Sequence, residues 1–530
     1  MIRAFLAATV TAALTLAVGT SPASATDFLE SGSYVSSQST LATPLQGAPT
    51  EVGGAYTDQT FGTTVRRLSV SSSSSQGYVP EYSKAQAFNS DGSRFLVRGT
   101  DAKTYLYNGF TLASMGELPI PQADLEPRWS PSDPDKLTYI DNDGTPSVKE
   151  YSLSSGQSRT VGSYGGFGGL SSGAEQDRSR SGRYFALHGD ETYDSQGNWV
   201  STQAFVADLS DGSRGPATTL TPPSPGDFLD YVAITPDDQY VMVMWAGAGA
   251  RLYTKSWTFV RQLTDWDEHA DFCRRPNGDD VLVIAHYRAG PNDEVVESRP
   301  LSGAPGTLLW QAPTYNMALH ISCRNTSLPG WAFMSSYWDG IGQRPGATPF
   351  ENEVFALSLD SSVSTPVVRR LAHTQMIERA DYFDEPHATV RQDGRLVLFA
   401  SNFNTNVGSD SYDDTYAIDL RSEQPQTDPG GVVDPGDGSS GGATSSTKPL
   451  QELRGTVKTR MRIHATVALP RKTTIGRAIK WKSLTPMRCR IAHNKSVVSE
   501  MRGMCRITAS AQGSSSISAF RHRYRISIRG

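Results

Sequence analysis

Cysteine is scarce in this chain, four in 530 residues, and charge is modest at 19%. Four thiols at wide spacing, Cys273, Cys323, Cys489 and Cys505, exclude a thiolate zinc site built on close Cys pairs and make reactive-cysteine catalysis a poor reading. Beyond the N-terminus no apolar run approaches the ~18 residues that a membrane-spanning helix requires. There is also no G-x-S-x-G elbow, no H-E-x-x-H and no phosphate loop, which removes the common hydrolase, zinc-protease and nucleotide-binding signatures. The glycines of Gly165-Gly166-Phe167-Gly168-Gly169 follow no dinucleotide-binding pattern and read as a loop. Glycine and proline, 48 and 31 residues, are close to ordinary globular usage, so neither global disorder nor a collagen-like repeat is on offer.

What is present begins with an address. Arg3 precedes an apolar stretch from Ala4 to Val18, and Ser21-Pro22-Ala23-Ser24-Ala25 supplies a small-residue cleavage site. A charged start, a short apolar middle and an A-x-A end are the parts of a secretory signal, so residues 1–25 are expected to be removed and the mature protein to be secreted, extracellular or wall-associated. In an oxidising compartment the two cysteines of the body and the two of the tail are compatible with one disulfide in each.

The net charge of -5 hides a division. From Lys448 onward 19 Lys and Arg face only Glu452 and Glu500, leaving 30 basic against 52 acidic residues before it. Residues 424–447, rich in Gly, Ser, Pro and Asp, cannot bury a core and read as a tether between an acidic body (26–423) and a basic tail (448–530). So basic a tail attracts polyanions; outside a cell these are acidic polysaccharides or anionic wall polymers rather than nucleic acid.

The body repeats. A polar turn followed by a run of β-formers recurs as Asn89-Ser90-Asp91-Gly92-Ser93, Ser130-Pro131-Ser132-Asp133-Pro134, Ser181-Gly182, Thr235-Pro236-Asp237-Asp238, Pro276-Asn277-Gly278-Asp279, Leu328-Pro329-Gly330 and Gln392-Asp393-Gly394. A period of roughly 40 to 65 residues with about four short strands per copy is the pattern of a propeller blade, and seven copies predict seven blades over about 65–420. The fold expectation is all-β: a seven-bladed β-propeller followed by a small immunoglobulin-like β-sandwich. Whether the segment Asp27 to Thr63 adds a strand to the last blade is left to the structure, with the expectation that it contributes. The turn resembles that of TolB-like and WD40-like repeats. The tail resembles a bacterial immunoglobulin-like module, on Ser483-Leu484-Thr485-Pro486, Val497-Val498 and the strands around Cys489 and Cys505, although it is unusually basic.

In a propeller the residues just upstream of each repeat turn line the central channel. Those positions hold Gln86, Glu126, Glu175 with Asp177, Asp230, His269, His320, and Glu385 with His387. Three of the nine histidines thus fall at equivalent places in three consecutive blades. Imidazoles and a carboxylate converging there suit one divalent metal, Mn, Zn or Ca; structural hydrogen bonding closing the channel is the alternative. The paired carboxylates Glu126 and Asp177 leave a glycoside hydrolase as a further reading.

The order of a channel histidine (His269), a second at His320 and the string Glu385-Pro386-His387, followed by Asp393-Gly394 and Phe399-Ala400-Ser401-Asn402, resembles the oligogalacturonate-lyase type of propeller and its polysaccharide-lyase relatives. The resemblance implies β-elimination on uronate-containing polymers, with His269 as base and His320, His387 and Glu385 as the metal cluster. Arg324 and Arg344 are available cations, and Tyr337 is the acid or base of a metal-free variant. This chain departs from the pattern in having no further histidine close beside His387. The competing expectation is a non-catalytic surface protein whose propeller binds or scaffolds. Trp331 and Trp338 offer stacking faces for sugar rings, or pack within a blade, and His286 reads as peripheral.

Overall fold

The computed structural model describes residues 28–39, 41, 48–70, 77–120, 126–266, 268–287, 294–313, 317–338, 349–376, 385–403 and 413–421, and four tail strands between residues 481 and 510. Residues 1–27, residues 424–447 and Arg344 lie outside the described residues. The chain divides into two units, Met1–Tyr34 and Val35–Gly530. In the first, a single helical turn, Phe28–Ser31, is followed by Tyr34, whose ring meets that of Phe28 edge-on at 6.4 Å.

The second unit contains seven consecutive antiparallel sheets, the blades of a β-propeller. Their first strands are Tyr78–Val79, Arg128–Trp129, Leu170–Ser171, Leu229–Ile234, Ala270–Arg274, Met317–Ser322 and Thr389–Val390. Every one of the seven turns read from the sequence connects a first strand to a second. Five of the seven turns share one geometry: the fourth residue donates its N–H to the carbonyl of the first and takes positive φ. Gly92 donates to Asn89 and Gly394 to Arg391, at φ of 70° and 75°. In blade 4 Asp238 does the same at φ 66°, a conformation that Asp tolerates better than most residues.

Second strands such as Tyr240–Trp245 (YVMVMW) and Leu396–Ser401 (LVLFAS) are apolar on both faces because each blade packs against a neighbour on either side. The fourth strand of blade 1, Ser114–Glu117, is exposed throughout. The core is therefore a ring of inter-blade seams. Ala186, Val206 and Leu220 of blade 3 pack on Val232, Val243 and Trp245 of blade 4, and Phe95 and Tyr107 of blade 1 pack on Leu398 and Ala417 of blade 7. A disulfide between Cys273 and Cys323, Cα atoms 5.0 Å apart, joins the inner strands of blades 5 and 6.

The ring is closed by chain from the other end of the sequence. Thr64–Arg67 pairs antiparallel with Asp414–Asp419 of blade 7, Val65 opposite Ile418, and Ala55–Thr57 adds a fifth strand outside it. Residues before Thr64 thus contribute a strand to the last blade, as expected.

The tail does not bear out the expected sandwich among the described residues. Its described strands, Trp481–Leu484, Arg488–Ala492, Val497–Met501 and Cys505–Ser510, form one four-stranded sheet in which Arg488–Ala492 and Cys505–Ser510 run parallel. An immunoglobulin-like sandwich needs two facing antiparallel sheets, and the described residues supply only this mixed one, so that assignment is unsupported. The side chains of Cys489 and Cys505 lie outside the described residues.

Candidate functional site at the channel mouth

The first strands put the expected channel residues on one inner ring, and at blades 6 and 7 that ring tightens. His320 lies on Met317–Ser322; Glu385 and His387 immediately precede Thr389–Val390. The Glu-Pro-His segment is fixed from two sides: Ala400 donates its N–H to the Pro386 carbonyl at 2.8 Å, and Ala388 donates to Ser335 Oγ of blade 6 at 3.1 Å. His387 itself sits at φ 41°, an unusual backbone for a bulky residue and one that neighbouring structure must hold.

Glu385 Oε2 lies 2.9 Å from His320 Nε2 and 3.2 Å from His387 Nε2. One ligand-type atom from each of the three residues falls within 4.8 Å of the others. Burial alone would raise the Glu385 carboxyl, but the hydrogen bonds and charge of the two histidines outweigh it and hold that carboxyl well below the usual carboxylate range. Two imidazoles and one carboxylate, gathered this closely, fit a single divalent ion that accepts nitrogen and oxygen donors together.

Aromatic rings hold the cluster in place. Tyr337 stacks on His320 with centroids 5.0 Å apart and planes at 20°, and Tyr82 from blade 1 meets both His320 and His387, at 5.5 and 5.2 Å. His269 packs on His320 at 4.3 Å. Four of the six residues expected at the site, His269, Tyr337, His320 and His387, thus stand ring against ring with Glu385 among them.

Arg324 is placed differently. Its guanidinium grips Asp271 through Nη2–Oδ1 at 2.5 Å and Nε–Oδ2 at 3.2 Å, and lies 3.7 Å from Asp177 Oδ2. Asp177 also accepts the Gln86 N–H at 3.0 Å, while Gln86 Nε2 donates to the Arg324 carbonyl at 2.9 Å. Blades 1, 3, 5 and 6 are tied together across the channel by this network, and the guanidinium charge is committed to carboxylates. A second crossing runs from buried Lys84 of blade 1 to Glu175 of blade 3, Nζ to Oε2 at 2.8 Å, with the ammonium 4.3 Å from the Tyr231 ring centroid. Burial pulls the Lys84 pKa down, but Glu175, Tyr231 and Asp230 outweigh it and keep the amine charged.

Glu126 is capped rather than paired with Asp177: it accepts from Ser171 Oγ at 2.6 Å and from the Ser172 N–H at 3.0 Å. Trp331 is buried in its blade beneath Arg369, the packing alternative. The Trp338 side chain lies outside the described residues. His286 is away from the cluster, stacked on Trp266 at 4.1 Å and 3.5 Å from Glu297.

Sequence reasoning missed Tyr82, Lys84 and Asp271. All three lay within its reach, since Tyr82 and Lys84 precede Gln86 in the approach to the first repeat turn and Asp271 follows His269 by two on the same strand face.

No family model matches the chain. No curated protein matches it either. Among solved structures, an oligogalacturonate lyase in complex with manganese aligns with a TM-score of 0.50 at 17% identity, over 69% of this chain and 96% of that one. An oligogalacturonate lyase from Vibrio parahaemolyticus aligns with a TM-score of 0.50 at 15% identity over the same shares. At such identities the likeness is one of fold.

Proposed function

We propose that the mature protein acts outside the cell as a propeller that binds a uronate-containing polysaccharide at its channel mouth and cleaves it by β-elimination. The observation that carries this reading is the convergence of His320, Glu385 and His387 within 4.8 Å, with His269 packed against His320. The shared fold with lyases, one described with manganese, supports it.

The chemistry demands such a set. The C5 proton of a uronate is barely acidic until the adjacent carboxylate is neutralised. A divalent cation held by His320, Glu385 and His387 would supply that neutralisation. His269, packed against His320, is the imidazole placed to remove the C5 proton. The electron pair of that C–H bond forms the C4–C5 double bond, the C4–oxygen bond breaks, and the departing oxygen takes a proton. Tyr337, stacked face-on against His320, orients that ring; Tyr82 does so for both ligand histidines. Lys84 and Arg324 are bound to Glu175, Asp177 and Asp271, so carboxylates outnumber cations at this level of the channel. A bare polyanion is repelled there, and a bound cation is what makes the mouth attractive to one.

One observation favours a binding platform without catalysis: His269 is only 4% exposed, and a base has to reach its proton. The two readings part on product. Incubation with polygalacturonate and Mn²⁺ should generate the ultraviolet absorbance of a conjugated uronate, abolished in His269→Ala. Tight polymer binding with no absorbance change would leave the platform.

A further inference from the structure

The seam between blades 3 and 4 contains a small cavity that involves no inner strand. Its volume is about 150 Å³, and Thr218, Thr219, Thr221, Trp245, Tyr253 and Trp257 line it. No Asp, Glu, Lys or Arg contributes to the wall. Three aromatic rings and three hydroxyls in one concavity form a wall that suits a ring with apolar C–H faces and hydroxyl edges.

Two tryptophans set the shape of the wall. Trp257 is the fourth residue of the Thr254–Trp257 turn and takes its φ of 68° from that turn, as Gly92 and Asp238 do in theirs. It is kept there by its N–H donating to the Thr254 carbonyl at 2.8 Å and its indole N–H donating across the seam to Pro216 at 2.9 Å. Trp245 is the second. Its indole is buried, meets Trp199 edge-on at 5.8 Å, and its N–H has no acceptor among the described residues. At the other edge Thr219 accepts from Gln203 at 2.7 Å, which leaves its own hydroxyl proton to be donated. Phe259, 55% exposed and 5.7 Å from Tyr253, continues the aromatic surface outward.

We propose that this seam is an accessory carbohydrate site that holds one neutral pyranose unit, separate from the channel and independent of any reaction there. The aromatic rings cover the sugar's C–H face, and the threonine hydroxyls complete the edge. Uncharged walls select a neutral sugar over a uronate. The volume is about half the ~300 Å³ at the lower end of sites for drug-sized ligands, which limits the occupant to one ring. A polysaccharide with both acidic and neutral residues would then touch the propeller at two places.

The test uses the full mature chain and two probes, methyl β-glucopyranoside and methyl α-galactopyranoside, observed through the nine tryptophan indole N–H signals in a proton–nitrogen spectrum. Trp245→Phe and Trp257→Phe assign the two relevant signals. Saturable movement of both by at least one glycoside is expected. Trp257→Ala should weaken binding about tenfold through loss of its ring face. Thr221→Val, at an exposed position that cannot unfold the blade, should weaken it about threefold through one lost hydrogen bond. Still signals with both glycosides, or binding of undiminished affinity in Thr221→Val and Trp257→Ala, would overturn the proposal.

Discussion

His320 and Glu385 are 65 residues apart in sequence and 2.9 Å apart in space, Nε2 to Oε2. The contact exists because two neighbouring blades each deliver one residue to the channel just before the repeat turn. Glu385 reaches His387 from the same oxygen at 3.2 Å, so one carboxylate organises both imidazoles. Glu385→Gln keeps the shape but removes the charge. It should weaken Mn²⁺ affinity by about a hundredfold, since even indirect partners of metal ligands are worth about 10- to 100-fold. Calorimetric titration of parent and variant measures this directly.

Arg324 is expected to matter to the fold more than to the chemistry. Asp271 is fully buried and receives Arg324 through two hydrogen bonds and the Cys323 N–H at 2.7 Å. Arg324→Ala leaves that carboxylate without its charge partner, at a cost of about 3–5 kcal/mol. Adding Asp271→Asn should restore much of the loss in urea unfolding. A fully stable Arg324→Ala protein with impaired turnover would instead return Arg324 to a catalytic role.

The disulfide between Cys273 and Cys323 closes a loop with a sequence separation of 50. Loop-closure entropy for that length corresponds to about 4 kcal/mol. The Cys273→Ser, Cys323→Ser protein should be destabilised by roughly that amount in denaturant titration, while keeping its β-sheet circular dichroism.

Acid should loosen the N-terminal strap. Asp58 accepts four hydrogen bonds, from the N–H groups of Thr60, Phe61 and His373 and from His373 Nδ1, at 2.9 to 3.0 Å. Burial pushes the Asp58 carboxyl up, but these bonds and the His373 charge outweigh it and lower its pKa below 3.8. A carboxyl lowered on folding stabilises fully above its unfolded pKa and loses that contribution as pH falls through the folded one. Asp58→Asn should therefore cost about 2 kcal/mol at neutral pH, and the gap to the parent should close below pH ~4. Removing residues 27–63 altogether should lower the melting temperature, since it deletes both Asp58 and the strand Ala55–Thr57.

The sequence made the blades legible because the turn chemistry is local. Asp91-Gly92 and Asp393-Gly394 carry their own backbone requirement; the loosest copy, Pro329-Gly330, also marks a blade, although Gly330 donates to Arg274 of blade 5 and not across its own turn. The metal-type cluster was legible for a related reason: His320 and His387 occupy one structural position relative to that turn. Partnerships between distant parts of the chain were not. Nothing local in Lys84 points to Glu175, or in Asp58 to His373, because only closure of the ring brings them together. The immunoglobulin-like expectation for the tail stands on a resemblance around Ser483–Pro486, Val497-Val498, Cys489 and Cys505, residues that do not determine strand order, and the parallel pair Arg488–Ala492 with Cys505–Ser510 leaves it unsupported.

The central claim is that His320, Glu385 and His387 form a metal site, and elemental analysis of the purified mature protein beside a His320→Ala, His387→Ala variant tests it most directly. The account predicts about one equivalent of Mn, Zn or Ca in the parent and none in the variant. No metal in either protein, after dialysis against each ion in turn, would contradict it and leave the three residues as a hydrogen-bonded closure of the channel.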